Sequence, residues 1–236
     1  MKKVLHLAMA VVLLSCMIAS CDSGSRYEVR GDQVVYTYWT FSFGRVYDTL
    51  PQADVSSFQQ VNGWLGHDDR QVFFEAKHVP GADVSTLKPK KYPLFRDNRD
   101  YYYKTKAMHV ADVESFEIIK WFEHDFWAKD SQRVYFDSLC VEGADVASFK
   151  VMSMTVAKDK NHVYYFGRIL PLADPLTFEA LGKSIYNRDK NHVWCGDSLM
   201  TDADASTFVV DDIDRAHDKN GAFVLENRVN EGEQVQ

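Results

Sequence analysis

The sequence predicts an all-β repeat protein with small helical turns. It is built from six to seven antiparallel, three-stranded units of about thirty residues that form a solenoid-like stack. Three observations carry this. An Asp recurs at Asp68, Asp97, Asp130, Asp159, Asp189 and Asp218, with Gly31 as a degenerate first member, in steps of 37, 29, 33, 29, 30 and 29 residues. Five positions after each anchor the residue is aromatic: Tyr36, Phe73, Tyr102, Tyr135, Tyr164, Trp194 and Phe223. Fifteen positions after most anchors comes a second Asp (Asp83, Asp112, Asp145, Asp174, Asp204), and four further on a large apolar residue such as Phe116, Phe149 or Phe178. Chance does not keep three columns in phase across six units.

Residues 1–20 read as a lipoprotein signal. Lys2 and Lys3 precede an apolar run, and Ile18-Ala19-Ser20-Cys21 resembles a lipobox, which makes Cys21 the expected lipid-bearing residue. An ordinary signal peptide cut nearby, with Cys21 incidental, is the competing reading, and Leu13-Leu14-Ser15-Cys16 is a second candidate box with a shorter apolar run. Polar residues 21–27 form a tether, residues 28–229 the repeat domain, and residues 230–236 a polar tail. Processing at Cys21 removes Lys2 and Lys3, leaving 25 basic against 34 acidic residues, a net charge of −9. That balance does not favour a nucleic-acid partner, and none is expected, since phosphates need clustered Lys and Arg.

Within a unit, Asp159-Lys160-Asn161-His162 is a turn signature: Asp accepts from backbone groups two or three residues on, and Asn tolerates a left-handed backbone. Val163-Tyr164-Tyr165 is a strand whose successive side chains point to opposite faces, both of them apolar, so it is expected to be covered on both sides. A second turn leads back into Ile169-Leu170. Asp174-Pro175-Leu176-Thr177-Phe178 then makes a helical turn, with Asp as N-cap and Pro at the first helical position. A closed propeller-like ring is the alternative to the stack, although thirty residues are few for a four-stranded blade. Cys140 and Cys195 sit two units apart, too far for a disulfide in a stack, and are expected as free thiols.

The Asp-Lys-Asn-x-Val-Tyr core followed by Ala-Asp-x-x-Thr/Ser-Phe resembles the bacterial DKNYP repeat family, best over residues 156–178 and 186–208 and traceable over roughly 28–225. Asp97-Asn98-Arg99 and Asp130-Ser131-Gln132 depart from it. The resemblance implies an exported bacterial repeat protein and no particular activity.

Signatures of phosphate loops, zinc proteases, Cys-x-x-Cys centres and nucleophile elbows are absent, so no catalytic residue, metal site or cofactor is assigned. Glu123, His124 and Asp125 are an acid–base cluster within a longer step. They carry the alternative of an envelope hydrolase or glycan-processing enzyme. Trp39, Phe41, Phe43 and Tyr47 occupy an eight-residue insertion and form the candidate recognition patch. The leading expectation is a non-catalytic lipoprotein scaffold, lipid-anchored in the bacterial envelope and facing the periplasm or the exterior. It binds a protein partner, with toxin neutralisation as one use. A purely structural envelope component is the third reading.

Overall fold

A computed structural model of the chain describes residues 24–123 and 125–229. Seven small antiparallel sheets follow one another along it, each a meander whose strand order is the chain order. Sheet 1 has three strands, Arg26–Arg30, Gln33–Thr40 and Gly44–Leu50. Sheets 2 to 7 have four each. They run from Gln59–Gln60 to Lys77–Val79, Lys88–Pro89 to Lys106–Ala107, and Glu117–Trp121 to Leu139–Cys140. The last three run from Lys150–Val151 to Arg168–Ile169, Glu179–Ala180 to Ser198–Leu199, and Val209–Asp212 to Asn227–Val229. Among the described residues no α-helix occurs, and only Val84–Thr86 closes into a 3-10 turn, capped by the Asp83 side chain on the Ser85 N–H.

The sequence expects three strands per unit, and six of the seven sheets carry a fourth. The extra strand is the short stretch after the covering Phe, such as Lys150–Val151 after Phe149, which pairs with Lys158 and Ala157 of the next strand. Strands of two or three residues let four of them fit into thirty.

Alternation across each central strand builds the interior. Tyr164 packs with Trp127, Val134 and Ala157 between sheets 4 and 5, while Val163 packs with Val156, Leu170 and Trp194 between sheets 5 and 6. Both are fully buried. Burying such a side chain stabilises by about 1.5–3 kcal/mol, and neither could be hidden by one sheet alone. Each of the six core clusters joins a sheet to the next one, and among the described residues none joins the first sheet to the last. The ends explain why the stack stays open. On sheet 1, Arg26 and Arg30 pair with Glu28, and the Arg30 guanidinium lies 4.3 Å from the centre of the Tyr47 ring, roofing the sheet with charge. On sheet 7, Val209 and Ala222 are exposed. Cys140 and Cys195 are free thiols, both half-buried, and burial pushes both pKa values up.

The meander gives the stack two unlike rims. In sheets 2 to 7 one rim holds the Asp turns between second and third strands and the connectors that pass to the next sheet; sheet 1 lacks the first strand, so its Gly31 turn falls at this rim and its 41–43 turn at the other. At the opposite rim lie the turns between first and second strands and between third and fourth.

Candidate functional site

The repeated residues are consumed at the first rim, where they make the same joint between neighbouring units. In sheet 5, Asp159 Oδ1 accepts from the N–H groups of Asn161 (2.7 Å) and His162 (2.8 Å), which forms the turn. Its Oδ2 accepts from the Tyr164 hydroxyl (2.8 Å) and from the N–H of Asp145 (2.7 Å), the helical-turn Asp of the preceding unit. Burial alone would raise this carboxyl, but the N–H groups of Asp145, Asn161 and His162 and the Tyr164 hydroxyl outweigh burial and hold it below the usual carboxylate range. The same inter-unit bond joins Asp54 to Asp68, Asp83 to Asp97, Asp112 to Asp130, Asp174 to Asp189, and Asp204 to Asp218. All six anchor Asp residues are buried. The Lys of the motif reaches back to the same helical-turn Asp, as in Lys160 to Asp145 (2.7 Å) and Lys190 to Asp174 (3.2 Å). The motif Ser or Thr accepts from the N–H after the anchor, as Ser148 does from Lys160 and Thr177 from Lys190. In two units the basic residue before the anchor closes the connector: Lys158 Nζ donates to the carbonyls of Pro175 (2.7 Å) and Phe178 (3.3 Å), and Arg188 donates to those of Ala205 (3.3 Å) and Phe208 (3.1 Å). The Asp, Lys, Ser or Thr and Tyr of the repeat therefore have a structural use.

Residues that differ from unit to unit gather at the opposite rim. The turn between third and fourth strands opens on a left-handed residue, and this position is Glu75, Lys104, Asp137, Phe166, Gly196 and Leu225 in successive sheets. Its N–H donates to a carbonyl of the neighbouring turn, as Glu75 does to Trp64 (2.7 Å) and Phe166 to Thr155 (2.7 Å), so the backbone repeats while the side chain varies. Tyr92, Met154, Phe166, Ile213 and Leu225 are all exposed along this rim. So is the tip of the long hairpin of sheet 1, where Phe41 is as exposed as in an isolated residue (104 %) and Phe43 nearly so (83 %).

A cup of about 710 Å³ opens between sheets 1 and 2 at this rim. Tyr36, Tyr38 and Trp39 of sheet 1, Trp64 of sheet 2 and Tyr92 from the first turn of sheet 3 line it, and Asp48 and Glu75 bring two carboxylates to it, with Lys77 as the lining cation. The Tyr92 hydroxyl donates to Glu75 Oε1 (3.3 Å), and Tyr27 donates to the Glu75 carbonyl (2.8 Å). Burial pushes the Tyr36 phenol up to about 12, and burial with the Glu75 charge raises that of Tyr92.

The four residues of the sequence-derived patch separate. Trp39 lines the cup, Phe41 and Phe43 form the hairpin tip, and Tyr47 lies under Arg30 on the end face. Cys21 and the leader lie outside the described residues, as does His124. Glu123 is exposed, and Asp125 meets Asp137 from the turn across the sheet. Burial, with the Asp125 charge beside it, pushes the Asp137 carboxyl up to about 6, against the bond it accepts from the Phe126 N–H. Among the described residues no group of three or more His, Cys, Asp or Glu is placed to hold a metal ion. Sequence reasoning missed Trp64, Glu75 and Tyr92. Their signal was the aligned position that does not repeat, and a search for shared letters passes over it.

Comparison with curated proteins and with solved structures gives no match. The DKNYY family model matches residues 14–106 and 94–168, more than half of the chain. The motif resemblance suggests the name DKNYP; the matching model is that of the DKNYY family, and the two overlapping matches agree with a repeated chain. The chain belongs to the DKNYY family.

Proposed function

We propose that this chain is a non-catalytic interaction scaffold whose varied rim docks a protein partner, held at a bacterial envelope membrane by lipid on Cys21. One observation carries the reading: the repeated residues are committed to the joints, while the exposed Phe41, Phe43, Tyr92, Phe166, Ile213 and Leu225 and a cup of about 710 Å³ share the rim whose side chains vary. Repeat stacks present extended surfaces of this kind, and exposed clustered aromatics suit protein recognition. Neutralising a secreted toxin is one use that such a surface serves.

The test is co-purification from the native host with the full chain and two double variants. Phe41→Ser/Phe43→Ser alters the varied rim. Leu172→Ser/Leu176→Ser alters two exposed apolar residues of a connector at the joint rim. The proposal expects one specific partner that the first variant loses and the second retains. A partner retained by both, or no specific partner at all, counts against it.

The Asp125–Asp137 pair supports a second reading, an envelope hydrolase, because a carboxyl whose pKa is pushed up to about 6 beside a second carboxyl is a general acid–base arrangement. On that reading Glu123→Ala and Asp125→Ala abolish turnover of a cell-envelope glycan while the melting temperature stays put; unchanged turnover removes it.

A further inference from the structure

We propose that the cup between sheets 1 and 2 is a binding site for an organic cation, the ammonium or guanidinium group of a partner's basic side chain. The inference rests on reading the varied rim as a recognition surface. Two pairs of rings line it: Trp64 and Tyr92 lie 5.6 Å apart at 81°, and Tyr36 and Tyr38 of sheet 1 lie 5.7 Å apart at 30°. Ring faces carry negative quadrupole charge and attract cations within about 6 Å. Asp48 and Glu75 add two carboxylates against the single Lys77, so the lining is net negative. Among the described residues the Glu75 carboxylate has one hydrogen-bond partner, the Tyr92 hydroxyl at 3.3 Å, which leaves acceptor capacity toward the cup. Burial is the main cause that holds the protons on the Tyr36 and Tyr92 phenols, and the negative charge of Glu75 adds to it. The chain as a whole carries −7, which draws a basic partner toward it. A neutral saccharide would use the same rings and would gain far less from the charge of the two carboxylates.

The experiment titrates the full chain with N-acetyl-lysine methylamide, N-acetyl-arginine methylamide and tetramethylammonium, reading the indole signals of Trp39 and Trp64. Neutral 3,3-dimethylbutanol and methyl glucoside are the controls. Cations are expected to bind saturably and about tenfold or more tightly than the neutral isostere, and Glu75→Gln is expected to weaken them by about tenfold. Glu75→Gln keeps an acceptor for Tyr92, and Asp48→Asn is a second variant, each checked by its melting curve. Equal binding of the alcohol, preference for the glucoside, or indifference to both substitutions overturns the proposal. Binding to phosphatidylethanolamine vesicles that depends on Glu75, without binding of the amino-acid derivatives, reassigns the cup to a lipid ammonium and overturns it too. Failure here with the Phe41/Phe43 result intact removes the cation site and leaves the scaffold reading standing.

Discussion

Asp159 shows how much one carboxylate holds at a joint. It receives four short hydrogen bonds, two that shape its own turn, one from Tyr164 and one from the preceding unit. Asp159→Ala leaves three backbone N–H groups and a hydroxyl without their acceptor, so a loss of about 3 kcal/mol or more is expected in denaturant unfolding, against about 1–2 kcal/mol for Tyr164→Phe. The pH dependence follows in sign. The folded-state pKa values of Asp97, Asp130, Asp159 and Asp189 lie below the usual value. Their stabilisation is therefore complete above the unfolded value near 3.9 and is lost as pH falls from there through the folded values. Thermal melts between pH 5 and 2 should fall steeply at the acid end. Asp137 has the opposite sign, since its folded-state value is raised to about 6. Stability drawn from it is present at pH 4 and lost as pH rises through 6. Asp137→Asn keeps an acceptor for the Phe126 N–H and suits a left-handed backbone at φ 48°. It should stabilise by about 1 kcal/mol at pH 7, after screening by solvent at this half-buried position, and change nothing at pH 4. The anchor column itself was legible in the sequence because spacing repeats. Its partner was not, because the bond from Asp145 crosses from one unit to the next.

Strands of two or three residues mark the limit of sequence reading at the next scale. Val163–Tyr165 was legible as β-branched and aromatic residues between turn signals, whereas Lys150–Val151 has no period to detect and is a strand only because Lys158 and Ala157 lie beside it. Turns offer a sharper test. Gly167 has φ 74°, and a Cβ there would stand 2.9 Å from the Phe136 Cβ and 3.2 Å from Leu139, both in the preceding sheet. Gly81 has φ 79° and open space around it. Gly167→Ala should therefore cost about 2 kcal/mol or more, adding overpacking to backbone strain, and Gly81→Ala about 1 kcal/mol from strain alone. Equal losses in chemical denaturation would show that the two sheets are not in close contact at Gly167. The long hairpin of sheet 1 behaves differently, because Phe41 and Phe43 touch no core. Phe41→Ser/Phe43→Ser should leave unfolding within about 0.5 kcal/mol of the parent.

Across the whole molecule, stability is a sum of sheets and their shared faces. Sheets 4 and 5 lie between neighbours on both sides and hold Trp127, Tyr135 and Tyr164, all fully buried. Sheet 7 offers Ala216 and Phe223 to one neighbour and leaves Val209 and Ala222 exposed on its other face. Hydrogen exchange should therefore be slowest over residues 126–165 and fastest over 209–229, and uniform protection would contradict an open stack. The choice between stack and ring was legible in outcome and not in reason. Counting thirty residues against four strands argued for a stack, yet four strands fit. What keeps the ends apart is the charged roof of Arg26, Glu28 and Arg30 at one and an uncovered face at the other. The uniformity of the joints has one more consequence. Cutting out residues 160–189 would place Asp159 directly before Lys190-Asn191-His192, rewriting the same turn with nothing left over. Recombination between such points lengthens or shortens the molecule in whole sheets of about 10 Å, so a lineage can resize its grip on a target in fixed increments while every surviving seam stays as it was.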